Sequence, residues 1–397
     1  MRRNISIALL SAGHACVDVY QGAVASLIPF LVARRGYGYA AASGVVLAAS
    51  LLSSVAQPLF GALTDRRPVP WLLPVSTLLA GAGIALSGLA DAYALTLGCA
   101  ALSGIGVAAY HPESARVARQ AAAGAHRAMG WFSLGGNAGF ALAPLLVAAV
   151  VGTGGLRWTP LLVLPALAGT ALCMAVLRAP ERRRSVRAGT APVAGTDDMA
   201  AFVKLSLAVV CRSVVFTGLS SFLSLYAAQR LGGRAAGTTA LFVLYLGGAL
   251  GSVLGGALAE RWDRVTVCRW SYLVSVVAVA GVVCVPGPAL YACVALTSAG
   301  LYVPFSLQVT LGQDYLPTRV GTAGGITLGL AVGVGGLVSP LIGRLADAAS
   351  LRTALAPLAL MPALSWLLLR TLPEPATSRT AGGNKGEPQP HPSAPRR

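Results

Sequence analysis

Three places in this 397-residue chain set ionisable side chains into otherwise apolar sequence. The first is "SAGHACVDVYQGA", where His14, Asp18 and Gln21 fall at i, i+4 and i+7 and so line one face of a helix. A carboxylate with an imidazole one turn away can take up and release a proton, and a glutamine beside them can hydrogen-bond a polar ligand. The second is "YHPESARVARQ", where His111 and Glu113 flank Pro112 and Arg116 follows Glu113 by three residues. Two titratable groups at a proline suit a proton relay or a gate, with Arg116 holding the Glu113 carboxylate ionised. The third is Arg212, set in an apolar run, whose guanidinium suits a pair with Asp18 or an acid group on a ligand. Structural readings stand beside these: a hydrogen-bonded trio that pins helices, an ion pair that closes a helix end, a static Asp18–Arg212 pair, or an arginine snorkelling to headgroups.

The elements that must carry these residues are membrane spans. The chain is 55% hydrophobic and 11% charged, against about 25% charged in soluble domains. Apolar stretches long enough to cross a hydrocarbon core recur from end to end. They predict an all-α membrane protein with twelve transmembrane helices, roughly 5–32, 41–62, 71–90, 94–114, 128–152, 157–177, 202–229, 237–259, 267–286, 289–312, 321–346 and 353–370. The amino terminus has no small-x-small cleavage site and reads as the first span, not a signal peptide. Asp18 then lies near the centre of a span, where an ionised carboxylate costs ~2.5–3.5 kcal/mol and must face protein or water. The seven cysteines show no metal-ligand spacing and read as packing residues, so neither a metal nor a cofactor is expected.

The formal charge of +17 is explained by topology. With both termini cytoplasmic, only Arg34, Arg35, Arg157, Arg230, Arg234, Arg344 and Arg352 fall outside and Arg212 falls within a span; the other basic residues lie inside. Basic residues scattered over short loops argue against a nucleic-acid partner and for lipid headgroups. In this frame span four runs inward, which places His111 and Glu113 ~26–28 Å below Ala94, at the cytoplasmic mouth.

The chain also repeats itself. Gly61, Leu63, Asp65 and Arg66 of "FGALTDRR" match Gly256, Leu258, Glu260 and Arg261 of "GGALAERW" at an offset of 195, and Gly139 and Pro144 match Gly335 and Pro340 at 196. Two agreeing offsets imply two six-helix pseudo-repeats: a bundle over 1–178, a basic cytoplasmic linker over 179–199, a bundle over 200–372, and a Pro/Gly/Ser-rich tail over 373–397 expected to be disordered. The offset also sets Arg212 opposite positions 16 to 17, level with Asp18, which is the basis for expecting the two to pair. Asn137 sits among the small residues Gly130, Gly135, Gly136 and Gly139 of span five, as a packing residue or a substrate contact. Tyr20, Phe216 and Tyr226 are candidate cavity aromatics, with packing the plainer reading.

Twelve spans, duplicated halves and the G-x-L-x-D-R loop resemble the major facilitator superfamily. Within it "YHPESARVARQAAAGAHRAMGWFSLGGNAGFALAPLL" is similar to the matching region of the fosmidomycin-resistance-type exporters, with further similarity in "PLFGALTDRRPVPWLLP", "RSVVFTGLSSFLSLY" and "LPTRVGTAGGITLGLAVGVGGLVSPLIG". That resemblance implies the major facilitator fold in an inner, plasma-membrane exporter of antibiotics or related small molecules, driven by proton antiport; nothing in the chain demands more than a monomer. It also implies that Asp65 and Arg66, with Glu260 and Arg261 in the second half, latch the halves together when the cavity faces outward. Asp18, His14, Glu113 and His111 are then the proton-coupling candidates, and Arg212, Gln21 and Asn137 the substrate-binding ones. Proton-coupled uptake by a symporter remains the alternative. A membrane enzyme would need an H-E-x-x-H motif or paired carboxylates at one depth, and a nucleotide-driven pump a G-x-x-x-x-G-K-[ST] loop; the chain has neither set.

Overall fold

The computed structural model describes residues 2–122, 126–178 and 196–375. Its helices are α1 (Arg2–Arg35), α2 (Tyr39–Arg66), α3 (Leu72–Ser87), α4 (Tyr93–Ala122), α5 (His126–Gly154), α6 (Leu164–Arg178), α7 (Met199–Leu231), α8 (Arg234–Ala259), α9 (Arg264–Cys284), α10 (Ala289–Tyr315), α11 (Val320–Ala348), α12 (Leu351–Leu355) and α13 (Leu360–Arg370). Short 3-10 stretches lengthen two of them, so that Leu156–Arg178 and Leu351–Arg370 each make one span. Ten spans among the described residues are long and apolar enough to cross a membrane, and α3 and α11 bring the set to the expected twelve. Helices suit that solvent because every backbone polar group is satisfied within its own segment. Leu59, Leu250, Val277 and Leu341 are more than half exposed, an apolar surface that lipid covers.

One span is longer than expected. α4 continues through Pro112 to Ala122 instead of ending near residue 114, because "SARVARQAA" is rich in strong helix formers and Arg116 pairs with Glu113 along the helix. Residues 179–195 of the linker, 376–397 of the tail and the side chain of Asp65 lie outside the described residues.

Helices α1–α6 pack as one bundle and α7–α13 as another, and α2 lies along α11 and α5 along α8 where the bundles meet. Glycines set the closest crossings. A Cβ on Gly139 would collide with the Ala15 carbonyl where α5 crosses α1, and one on Gly335 would collide with the Ser213 carbonyl where α11 crosses α7. The repeat continues in two arginines 195 residues apart. Arg35 donates to the carbonyls of Gly88 (2.8 Å) and Ala90 past the end of α3, and Arg230 to those of Val283 (3.1 Å) and Val285 (3.0 Å) at the end of α9. Each supplies donors to carbonyls that a helix end leaves open.

The side-chain hydrogen bonds that join the two bundles among the described residues all lie at the end away from the linker. There Asp347 accepts from the amides of Tyr39 and Ala40, and Gln229 donates to the Tyr39 hydroxyl. At the linker end the second bundle is tied to itself. Asp198 N donates to Tyr315 O (2.7 Å), the Tyr315 hydroxyl donates to Pro373 O (2.6 Å), and Arg264 holds both Asp314 and Glu374 at 2.7 Å.

Candidate functional site

The α1–α5 crossing brings His14 and Asp18, one turn apart on α1, against α4. His14 Nε2 lies 3.2 Å from one Asp18 oxygen and His111 Nε2 lies 3.2 Å from the other. The expected place of His111 at the cytoplasmic mouth is therefore overturned: it meets Asp18 at the middle of α1. The longer α4 explains this, since eleven residues, about 16 Å of helix, follow His111. The cluster is enclosed. Asp18 and His14 are more than nine-tenths buried, and the His14 ring stacks on Phe132 with centroids 4.3 Å apart. Gly136 closes it from α5, where a Cβ would come within 2.5 Å of Asp18 Oδ2 and 2.6 Å of His14 Cε1.

The hydrogen bonds on the far side of each ring decide what the cluster can do. His14 Nδ1 is 2.9 Å from Phe132 O and His111 Nδ1 is 2.7 Å from Val107 O. Carbonyls only accept, so each Nδ1 carries its hydrogen and each Nε2 turns to the carboxylate. An unprotonated Nε2 facing an ionised oxygen sets lone pair against lone pair. Each contact is attractive only when a proton lies on the imidazole or on the acid, so the cluster has two places for a proton beyond those on Nδ1. Neither His14 Nε2 nor Asp18 Oδ1 is aligned in a full hydrogen bond here. The three ligating atoms also lie within 4.8 Å of one another, a donor set that can hold a divalent metal ion.

The expected Asp18–Arg212 pair does not form. Arg212 is buried on α7, donates Nε to Leu301 O at 2.7 Å, and lies over the rings of Phe305 (4.7 Å) and Tyr302 (5.9 Å). Asp18 has two imidazoles on its oxygens instead. Among the described residues no carboxylate lies within ion-pair distance of Arg212. Tyr302 packs edge-on against Phe216 at 5.5 Å, and Phe216 lines a cavity of about 90 Å³ between the bundles with Tyr20, Gln21, Phe140, Ser220 and Tyr245, so Arg212 stands one ring behind the cavity wall. Gln21, Tyr20 and Phe216 thus reach the cavity, whereas the Tyr226 hydroxyl is bound to Val283 O and packs. Asn137 turns its amide oxygen towards Gly248 of α8.

The gate candidates separate. Glu113 is fully buried and bound by Arg116 through both oxygens, with Arg116 Nε 2.8 Å from Oε2. Arg66, Glu260 and Arg261 are exposed and form no ion pair among the described residues.

A third internal match joins the two halves. Tyr110-His111-Pro112-Glu113-Ser114 on α4 and Tyr302-Val303-Pro304-Phe305-Ser306 on α10 share Tyr-x-Pro-x-Ser at an offset of 192. Arg212 meets the second copy as His14 and Asp18 meet the first. An offset three and four short of the other two hides that match from a search at fixed spacing.

The sequence model of the Major Facilitator Superfamily matches residues 10–340. The chain belongs to this superfamily. It is 29% identical over 371 residues to the fosmidomycin resistance protein of Escherichia coli (strain K12), covering 91% of each chain. It is 31% identical over 372 residues to the uncharacterized MFS-type transporter YfnC of Bacillus subtilis (strain 168), covering 89% of each. Its fold matches a bacterial homolog to the human lysosomal transporter Spinster, in an inward-facing and unoccupied conformation, with a TM-score of 0.77 at 16% identity, over 93% of this chain and 97% of that one. The E. coli fucose:proton symporter FucP matches with a TM-score of 0.60 at 15% identity, over 92% and 97%. This superfamily member is a multi-pass membrane transporter.

Proposed function

We propose that the transporter exports a small-molecule antibiotic or related acidic metabolite across the inner, plasma membrane in exchange for protons. The observation that carries this reading is the pair of imidazoles which, with both Nδ1 atoms turned to carbonyls, each bring Nε2 to 3.2 Å from an Asp18 oxygen, where a proton can be taken up. His14, Asp18 and His111 form the proton site, and Glu113, held by Arg116, braces the α4 segment that carries His111. Arg212 is the substrate's anchor. A buried guanidinium with no carboxylate beside it is expensive in a membrane, and an acid group on the substrate supplies the missing acceptor. Gln21 and Asn137 contact the rest of the substrate from the α1 and α5 sides.

With both termini and the basic linker cytoplasmic, the end joined by Asp347 and Gln229 faces outward, and the conformation is closed to the outside. Asp65, Arg66, Glu260 and Arg261 form the latch of the opposite state. The exposure of Arg66, Glu260 and Arg261 agrees with a latch that is open when the other end is shut. The cavity is smaller than the ~300–1,000 Å³ of drug-sized sites, so loading requires the inner ends to part further. All proposed contacts come from one chain, which suits a monomer in lipid with no nucleic-acid partner. Similarity to the fosmidomycin resistance protein favours export over uptake.

The test is a proteoliposome assay with an internal pH dye, an acid-inside gradient, and fosmidomycin among a panel of small acids. Substrate-induced proton release that vanishes in Asp18→Asn is the expected result. Release that survives the substitution would remove the proton site from this cluster. Proton movement in the same direction as the substrate would establish uptake symport instead.

A further inference from the structure

The second bundle grips one corner of the first with side chains from three helices. From the end of α11, Asp347 sets Oδ1 2.8 Å from Tyr39 N and Oδ2 2.9 Å from Ala40 N. From α7, Gln229 Nε2 donates to the Tyr39 hydroxyl at 3.1 Å, and from the start of α8 the Arg234 guanidinium lies over the Phe30 ring at 5.9 Å. The corner has no cap of its own. Gly38 stands at the N-cap of α2 with no side chain to offer, and a Cβ there would come within 3.2 Å of the Asp347 carboxylate. α2 therefore takes its cap from the other half of the molecule. The arrangement is not reciprocal: the repeat offset places Val151 and Gly152 where a twin of Asp347 would stand, and neither can cap α8.

We propose that Asp347 is a gating residue that holds the outer end closed by capping α2 across the bundle interface. When the bundles part at this end, the carboxylate and the two amides separate together, so the contact exists in one access state only. A contact made in one state shifts the balance between states by its own worth. Gln229 and Arg234 orient the same corner, and the inference does not depend on which ion or substrate is moved.

The experiment uses the full chain in lipid nanodiscs, with the native cysteines replaced and spin labels at Ala92 and Ala235, exposed positions near the outer ends of the two bundles. Pulsed distance measurements on the parent should show mostly the short, closed separation. Asp347→Ala should raise the open-to-closed ratio about fivefold, the equivalent of a typical helix cap, and Asp347→Asn should raise it less because the amide keeps one acceptor oxygen. Gly38→Ser in the Asp347→Ala background separates gating from simple support of α2, because the serine gives α2 its own cap. An ensemble that stays open with the serine upholds the gate. Restored closure, or an unchanged distance distribution in folded Asp347→Ala, overturns it.

Discussion

At one crossing the two halves of this transporter share a frame and differ in chemistry. In the first, α1 meets the Tyr-x-Pro-x-Ser segment of α4 with His14 and Asp18, and His111 completes the cluster. In the second, α7 meets the same segment of α10 with Arg212, and Val303 and Phe305 stand where His111 and Glu113 would be. The first half holds groups that change charge with a proton, whereas the second holds a cation that keeps its charge at any working pH. Duplication supplied the scaffold, and on the proposed reading divergence at a few positions gave one half the proton site and the other the anion site. Antiport needs both, since a proton and a substrate must each favour a different state.

Separating the two roles gives the largest expected effect. Arg212→Gln should weaken binding of acidic substrates by about 30-fold or more, the cost of removing one partner from a desolvated charge pair, while protonation of the first-half cluster persists. Isothermal titration with small acids at two pH values measures both. Equal weakening for neutral analogues would show that Arg212 supports packing and not recognition. The shared frame gives the next effect. Gly139→Ala and Gly335→Ala should each destabilise by about 1–3 kcal/mol, because a methyl has no room at either crossing. Thermal unfolding in lipid checks this, and a large difference between the two would break the symmetry claimed for the scaffold. The smallest effect belongs to the arginine clamps. Arg35→Ala and Arg230→Ala should cost about 1–2 kcal/mol each, similarly in the two halves, as charged hydrogen bonds to helix-end carbonyls are lost.

Much of this frame was legible in the chain. Apolar runs marked the spans, the Gly139–Gly335 match marked the two close crossings, and the i, i+4 spacing placed His14 beside Asp18. The depth of His111 was misplaced for a local reason. Treating "ESARVARQ" as the polar end of span four stopped the helix near residue 114, and a span that continues to Ala122 moves His111 to the depth of Asp18. The Asp18–Arg212 pair failed because repeat offsets fix depth along a helix and not the direction in which a side chain turns. Arg212 turns to Leu301 O and the aromatic rings of α10. Asp347 carried no sequence signal at all, since its partners are two backbone amides more than three hundred residues away.

The ties at the linker end carry a consequence for the second bundle. Asp198 and Pro373, where its chain enters and leaves, are both bound to Tyr315. The polypeptide of that bundle therefore begins and finishes at one spot, so its path is nearly a loop. Such a loop can be joined there and cut elsewhere. Circular permutation that joins Asp198 to Pro373 and opens another loop of the bundle would leave its six-span path unchanged.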